Sequence, residues 1–600
     1  MTISQGIGIP DGPPTINGPK GNGMGGGLVP GVFPQAEAMR PTLYGEKWSV
    51  VAGHPLVTEI AASVLRRGGN ATDAGVAAGF ACNVVQVEMS NLGGIAPILV
   101  REAGSDEVFS VAGIGTWGRS ATLDAVRARY GDSLPLGGAP SIVPGAVAGW
   151  IAALSRFGTW SLADVLGPVI ELAIDGFPLD PRTAAHIAIM GRGFSKWPSS
   201  VAVYAPGGRA LHGGDRLVQP ELGRLLQQLV DAETLARAAG ATREQALRAA
   251  HDRFYRGEVA QTIVDFVQDA GGFLELDDLA GFEADIEPAP SVPFGEWQVH
   301  VTPTWSQGLI VAQALGILDE LPLDDLDPVG PDYLHTVIEA LKLAFSERER
   351  AYGDPRFSGT TAEDLLDPNH LETLRAMIGP DALRNLPTVP QAGPMLPSTT
   401  ALVVLDGDGG SFAASPSDTI DGAPIIPELG IICSPRGVQS RLVDDHPNVI
   451  RPGGRPCVTP AAVIALGPRT DEADDRRVWA TACPGGDVIV QAITQVMLNM
   501  EVSGLAPQAA IESARVFGMS FPSGFHPHPS GDKALFIEEG FPDSTVVELA
   551  RRGHRVIEWP ANEFDAGSVQ TVIDVHDPTD GRRLIASGAD PRRTAYAQAR

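Results

Sequence analysis

A loop dense in proline and glycine, LPTVPQAGPMLPS, runs directly into Thr399-Thr400 and then into the apolar run Ala401-Leu402-Val403-Val404-Leu405. The first part resists regular structure, because proline fixes φ and lacks an N–H. The second part alternates and branches like a strand, and the turn GDGG and a second short strand, SFAAS, follow it. The chain therefore enters a rigid strand abruptly, with a hydroxyl residue first. A threonine hydroxyl is a poor nucleophile at neutral pH unless a base lies beside it. A cut between Ser398 and Thr399 supplies one, since the new α-amine sits on the same residue. Read in isolation, a threonine pair at a strand start reflects β-propensity alone, and the rest of the chain has to decide.

Six hundred residues fit several domains or one large α/β domain with insertions. The balance of 44 basic to 72 acidic residues, net −28, argues against a nucleic-acid partner, which needs a basic surface. The four cysteines, Cys82, Cys433, Cys457 and Cys483, form no CxxC pair, so neither a zinc knuckle nor a redox dithiol is indicated. Few cysteines in a long chain suit a reducing cytosol. The Gly- and Pro-rich start has no apolar signal core and reads as a flexible arm over residues 1–47. The longest apolar stretch, Ala74 to Val87, is too short and too rich in small residues for a membrane span. The expectation is a cytoplasmic protein that binds neither membrane nor nucleic acid.

From Trp48 to Val100 the pattern predicts strand, helix, helix, strand. Gly68-Gly69 ends the first helix and Asn70 caps the second, which is rich in small residues and expected to be buried. Residues 145–290 read as mostly helical, with an N-cap at Ser161 and two helices between Thr234 and Ala270. A long amphipathic helix follows in PDYLHTVIEALKLAFSERERAYGDP. After the linker, residues 399–470 and 570–588 read as strands, with helices over 487–515 and 542–553. Mixed elements of this kind suit a layered α/β sandwich.

Several separated motifs, in order, resemble the γ-glutamyltransferase family of N-terminal nucleophile (Ntn) hydrolases over about residues 48–590. They are Gly53-His54-Pro55-Leu56, Gly68-Gly69-Asn70-Ala71-Thr72-Asp73-Ala74, Met89-Ser90-Asn91-Leu92-Gly93-Gly94, Val143-Pro144-Gly145 and Glu339-Ala340-Leu341-Lys342-Leu343-Ala344-Phe345 with Gly353-Asp354-Pro355. Thr399-Thr400, His446-Pro447-Asn448 with Arg455-Pro456, and Pro484-Gly485-Gly486-Asp487 complete the set. The resemblance implies an αββα sandwich made as one precursor, cut between Ser398 and Thr399, with Thr400 next in line. The large subunit, 48–398, and the small catalytic subunit, 399–600, would stay together. It also implies that Thr399 attacks an amide carbonyl, that Gly485 and Gly486 supply N–H groups to the oxyanion, and that an acyl-enzyme follows. Residues near Ser417 and Thr419 would orient the nucleophile. No cofactor and no metal are expected. The partners would be a small amide substrate and the sister fragment, with a homodimer as a further option.

The departures from the family concern substrate choice. Where glutamyl enzymes carry an arginine for the substrate carboxylate, this chain reads Ser110-Val111-Ala112-Gly113-Ile114-Gly115-Thr116-Trp117, and Arg119 is out of register. The Ser-Ser cradle after Arg-Pro is Cys457-Val458, and the residue after the threonine pair is Ala401 rather than His. Losing a charge-assisted pair removes about 1.5–3 kcal/mol per hydrogen bond. An acyl group less polar than glutamyl is therefore expected, with Trp117, Trp305 and Val458 lining its pocket and Arg436 as a replacement anion anchor. Two other readings stay open: a true γ-glutamyl hydrolase or transferase with a rearranged carboxylate site, and an unprocessed, non-catalytic binding protein. Among the remaining candidates, His526 and His528 fit an exposed Pro-rich loop better than a metal pair. The spacing of Asp418, Asp421 and Glu428 fits no calcium loop, and His54 reads as structural.

Overall fold

A computed structural model describes residues 38–383, 399–469, 476–576 and 582–600. The linker and Ser398 lie outside these residues, as does most of the expected arm.

Alternation along the strands sets the architecture. In the strand Leu402–Asp406, Leu402 and Val404 join one hydrophobic cluster while Val403 and Leu405 join another. The strand Ala462–Arg469 behaves alike: Val463 and Ala465 face an outer helical layer, and Ala462, Ile464 and Leu466 face inward. A strand buried on both faces must lie in a sheet covered on both sides. There are two such sheets, each of seven strands. One runs Tyr596–Ala599, Trp48–Ala52, Leu402–Asp406, Ser411–Ala414, Ala96–Arg101, Phe109–Gly113, Ile286–Pro288. The other runs Leu43–Gly45, Arg583–Ala589, Gln570–His576, Arg476–Ala482, Ala462–Arg469, Trp297–Val301, Ser291–Phe294. All neighbours within both sheets are antiparallel. Their inner faces share one core, which contains Val51, Ala401, Ala413, Ile464 and Val572.

Helices cover each outer face. Pro55–Arg66, Ala71–Val85 and Ala146–Phe157 pack on the first sheet, and Leu162–Asp175 packs on Ala71–Val85. Gly308–Leu318 and Val488–Glu501 pack on the second, and Pro331–Ala351 packs on Gly308–Leu318. The helix Ala71–Val85 is buried at every position, as its small side chains foretold. Asn70 and Asp73 form a reciprocal capping box at its start, an arrangement worth about 1 kcal/mol. Asp73 also accepts hydrogen bonds from the backbone N–H groups of Thr159 and Trp160. The fold is the αββα sandwich.

Three details differ from the sequence reading. Leu43–Gly45 is an edge strand paired with Arg583–Ala589, so the expected arm gives way to the sandwich before residue 47. The stretch Thr234–Ala270 holds the end of Pro220–Ala238 and then two helices, Arg243–Tyr255 and Glu258–Asp269. Between 415 and 461, the regular elements are the two-residue strands Ile425–Ile426 and Ile431–Ile432 and the single 3-10 turn Arg436–Gln439. This loop-rich stretch is where the nucleophile's partners gather.

Candidate active site

Thr399 sits just ahead of the central strand Leu402–Asp406 and forms a β-bridge with Ser417. Its register is fixed by two backbone bonds: the Thr400 N–H donates to the Pro416 carbonyl at 3.0 Å, and the Gly53 N–H to the Ala401 carbonyl at 3.1 Å. Thr400 is turned away from this face, and its hydroxyl donates to Gln86 Oε1 at 2.7 Å. Gln86 in turn donates to the Gly53 carbonyl at 3.1 Å. A Cβ on residue 53 would lie 2.2 Å from the Thr400 hydroxyl, which explains the glycine in the Gly53-His54-Pro55 motif. His54 is structural: it caps the helix Pro55–Arg66 through Leu56 N–H and faces Asp180 at 3.4 Å.

Thr399 Oγ1 lies 3.0 Å from Ser417 Oγ. Ser417 Oγ also accepts a short hydrogen bond from Arg436 Nη2. With a lone pair engaged by the guanidinium, the Ser417 hydroxyl can donate its proton to Thr399 Oγ1, in a pair where either oxygen is able to donate. With the Ser417 proton on Thr399 Oγ1, the chain Arg436–Ser417–Thr399 would favour negative charge on that oxygen. Arg436 is buried, and its Nε donates to the Asp418 carboxylate. Asp418 also accepts from Ser434 Oγ at 2.6 Å, and Arg436 Nη1 donates to Gln439 Oε1 at 3.1 Å. Asp418 adopts φ of 102°, a conformation costing about 1–3 kcal/mol for a non-glycine residue. Its two carboxylate partners hold it there. Thr419, by contrast, donates to Asp421 Oδ1 at 2.6 Å. Of the two expected orienting residues, Ser417 is the one whose side chain bonds Thr399.

Gly485 and Gly486 precede the helix Val488–Glu501, with φ of 138° and 64°. Both values lie in the region that favours glycine. Neither N–H donates to a described backbone group. Asp487 anchors this turn. Its carboxylate accepts from Arg348 at 2.7 Å, Gln307 at 2.9 Å and the Gly524 N–H at 2.9 Å. Pro484, just before the glycines, lines the same pocket as Thr399 and Thr400. Unused N–H groups at the positive end of a helix are what an oxyanion needs.

Two hollows lie near these residues. A narrow pocket, bounded among others by Gly53, Glu88, Thr399, Pro484 and Arg593, opens on one side. A cleft of about 490 Å³ opens on the side of Asp418 and Arg436. Its walls include Leu134, Leu136, Pro435, Val438, Phe525 and His526, and Arg436 is the one Lys or Arg among its described lining residues.

Trp117, Trp305 and Val458 come together in one buried cluster, where Trp117 donates to Ser440 Oγ at 3.0 Å and Trp305 to Glu287 Oε1 at 2.9 Å. They line neither hollow; they pack behind the loop that carries Arg436. Cys457 belongs to the core of the other helical layer, where burial pushes its thiol up to about 12. His528 is buried rather than exposed, bonded to the Ser523 and Ser440 carbonyls, while His526 lines the larger cleft. Asp421 and Asp418 are engaged with Thr419 and Arg436, not with each other. Among the described residues, the cluster with metal-ligand spacing is His335, Glu339 and His554. The Lys342 ammonium, 2.6 Å from Glu339 Oε1, already supplies the positive charge there.

The family model described as Gamma-glutamyltranspeptidase matches residues 57–599. The chain is 27% identical to the Glutathione hydrolase proenzyme of Bacillus subtilis (strain 168), over 92% of this chain and 93% of that protein. It is 29% identical to the Acylase ACY 1 proenzyme of Pseudomonas sp. (strain SE83), over 86% of this chain and 88% of that protein. Among solved structures, the cephalosporin acylase from Bacillus halodurans aligns with a TM-score of 0.80 at 28% identity, covering 96% of this chain and 99% of that one. A structure of LmbA2991T421A aligns with a TM-score of 0.83 at 29% identity, covering 94% and 100%.

Proposed function

Since this chain belongs to the gamma-glutamyltranspeptidase family, whose members act on amide bonds, we propose that it is a self-processing acylase with Thr399 as nucleophile and an acyl group less polar than glutamyl. The chain is cut before Thr399, and the freed α-amine takes the hydroxyl proton as Oγ1 attacks the carbonyl. The Gly485 and Gly486 N–H groups receive the oxyanion. The α-amine returns the proton to the leaving amine, and water then releases the acid. Ser417, polarised by Arg436, stabilises the attacking oxygen.

The observation that carries the acyl preference is the commitment of Arg436. Its guanidinium is spent on Asp418, Ser417 and Gln439, so the cleft offers a substrate carboxylate no unshared arginine. The remaining walls are largely apolar. Acylases among the relatives support this reading. The glutathione hydrolases among them support the second one, a γ-glutamyl enzyme in which Asp418 yields Arg436 to the substrate. We place the enzyme in a reducing, cytoplasmic compartment, a reading supported by four unpaired, buried cysteines.

Intact mass tests the nucleophile. Purified protein should give two fragments, the smaller beginning at Thr399, while Thr399→Ala stays whole. An uncut native chain would overturn the acylase reading in favour of a binding protein. A panel of anilides tests the acyl group: simple acyl anilides should be turned over at least about tenfold more efficiently than γ-glutamyl anilide, the discrimination one charge-assisted hydrogen bond supports. The reverse order would favour the glutamyl enzyme.

A further inference from the structure

The narrow pocket beside Thr399 contains a buried cation that the mechanism does not use. Arg593 is 5% exposed. The Phe564 ring covers one face of its guanidinium at 4.2 Å, Nε donates to the Phe564 carbonyl at 3.2 Å, and Nη1 meets only the weak acceptor Met89 Sδ at 3.7 Å. Nη2 has no hydrogen-bond partner among the described residues, and Arg593 forms no ion pair with any of them. The neighbouring acids are otherwise engaged or too far away. Asp590 is held by Arg515 and Arg592. Asp565 and Glu88 act on Arg593 only through the field. Burial pushes Glu88 up to about 8, toward its neutral carboxyl form, and its Oε2 likewise has no hydrogen-bond partner among the described residues. Arg182, at the exposed rim, adds a second positive charge and is tethered to the Pro591 carbonyl at 2.8 Å.

An unpaired buried guanidinium costs several kcal/mol of desolvation. Evolution retains such groups where a ligand completes the pair. A guanidinium N–H and a protonated carboxyl facing one pocket form a receptor for a carboxylate, which accepts from both. The pocket is lined by Thr399 itself, whereas the proposed acyl cleft is lined by Asp418 and Arg436. We infer that Arg593, with Glu88 beside it, forms an anion subsite for a carboxylate borne by the amine half of the substrate. This rests on the acylase reading above and narrows it: the enzyme cleaves amides of amino-acid-like amines.

The test is a calorimetric titration of the full-length protein with two probes that differ in one group, 3-(phenylacetylamino)benzoate and phenylacetanilide. The carboxylate probe should bind about tenfold or more tightly than the neutral one, as expected for a charge-assisted hydrogen bond. Arg593→Gln should abolish that preference, and Arg593→Lys should retain part of it. Equal affinities in the native protein, or a preference that survives in Arg593→Gln, would overturn the subsite. Failure of both probes to bind would do so too. The native comparison needs no variant, so a misfolded Arg593→Gln leaves the test intact. Binding also needs no turnover. An uncut, inactive protein that still prefers the carboxylate would retire the nucleophile reading and keep the subsite.

Discussion

In the proposed mechanism, Ser417 is the residue on which the chemistry turns. It touches Thr399 Oγ1 at 3.0 Å and receives Arg436 from behind. Removing its hydroxyl leaves Thr399 Oγ1 without its donor and Arg436 without one acceptor, while Asp418 and Gln439 still hold the guanidinium in place. Ser417→Ala is therefore expected to keep the fold and lower kcat by about 10²–10³-fold, the scale for a lost transition-state donor. KM should stay within about threefold. Steady-state kinetics on the best anilide decides, and an unchanged kcat would remove Ser417 from the mechanism. At this scale the sequence was partly legible. Thr399 and Ser417 could be placed from motif order. The Arg436–Asp418 pair could not, because it joins two positions of a loop with no periodicity to register one against the other. Arg593 gave no signal at all, since its neighbours are Phe564, 29 residues earlier, and the adjacent pair Glu88-Met89, some 500 residues earlier.

Elements explain why the turn before Val488–Glu501 keeps its glycines. A Cβ on Gly485 would meet its nearest atom, Gly567 Cα, at 3.4 Å, an ordinary contact, so space is not the constraint. The constraint is φ of 138°, a value that costs an L-residue about 1–3 kcal/mol. Gly485→Ala should relieve that strain by rotating the peptide and re-aiming its N–H groups. We expect kcat to fall about 10²–10³-fold, with a melting temperature lowered by only a few degrees. Parallel kinetics and thermal melting would show it, and a kcat within twofold of native would exclude the turn as the oxyanion site. Helices were the most readable elements: caps at Asn70 and Ser161 and the long run Pro331–Ala351 follow from side-chain chemistry that acts within one turn. The tryptophans were not readable. An aromatic residue in a glycine-rich loop serves a pocket wall or a core equally well in sequence, and here Trp117 and Trp305 pack in a core.

For the whole molecule, the position of the expected cut has a mechanical meaning. Strands Leu402–Asp406 and Ser411–Ala414 lie between Trp48–Ala52 and Ala96–Arg101, and Ala462–Arg469 pairs with Trp297–Val301. Each sheet thus interleaves residues from before and after Thr399, and the shared inner core has side chains from both. Separating the pieces would open both sheets. The cut enzyme should therefore elute from native size exclusion with its fragments in equal amounts and unfold in one cooperative step by calorimetry. Resolved fragments, or two separate transitions, would contradict this.

The two buried arginines near Thr399 differ in one respect: Arg436 is neutralised by Asp418 within the protein, and Arg593 is not. If the proposed nucleophile, relay and oxyanion turn hold, the choice of which guanidinium is answered from inside would act as an address label, sending an anionic group to one half of the substrate and a neutral group to the other. A lineage could exchange those addresses by moving a single internal carboxylate, and inherit a new substrate with its reaction chemistry intact.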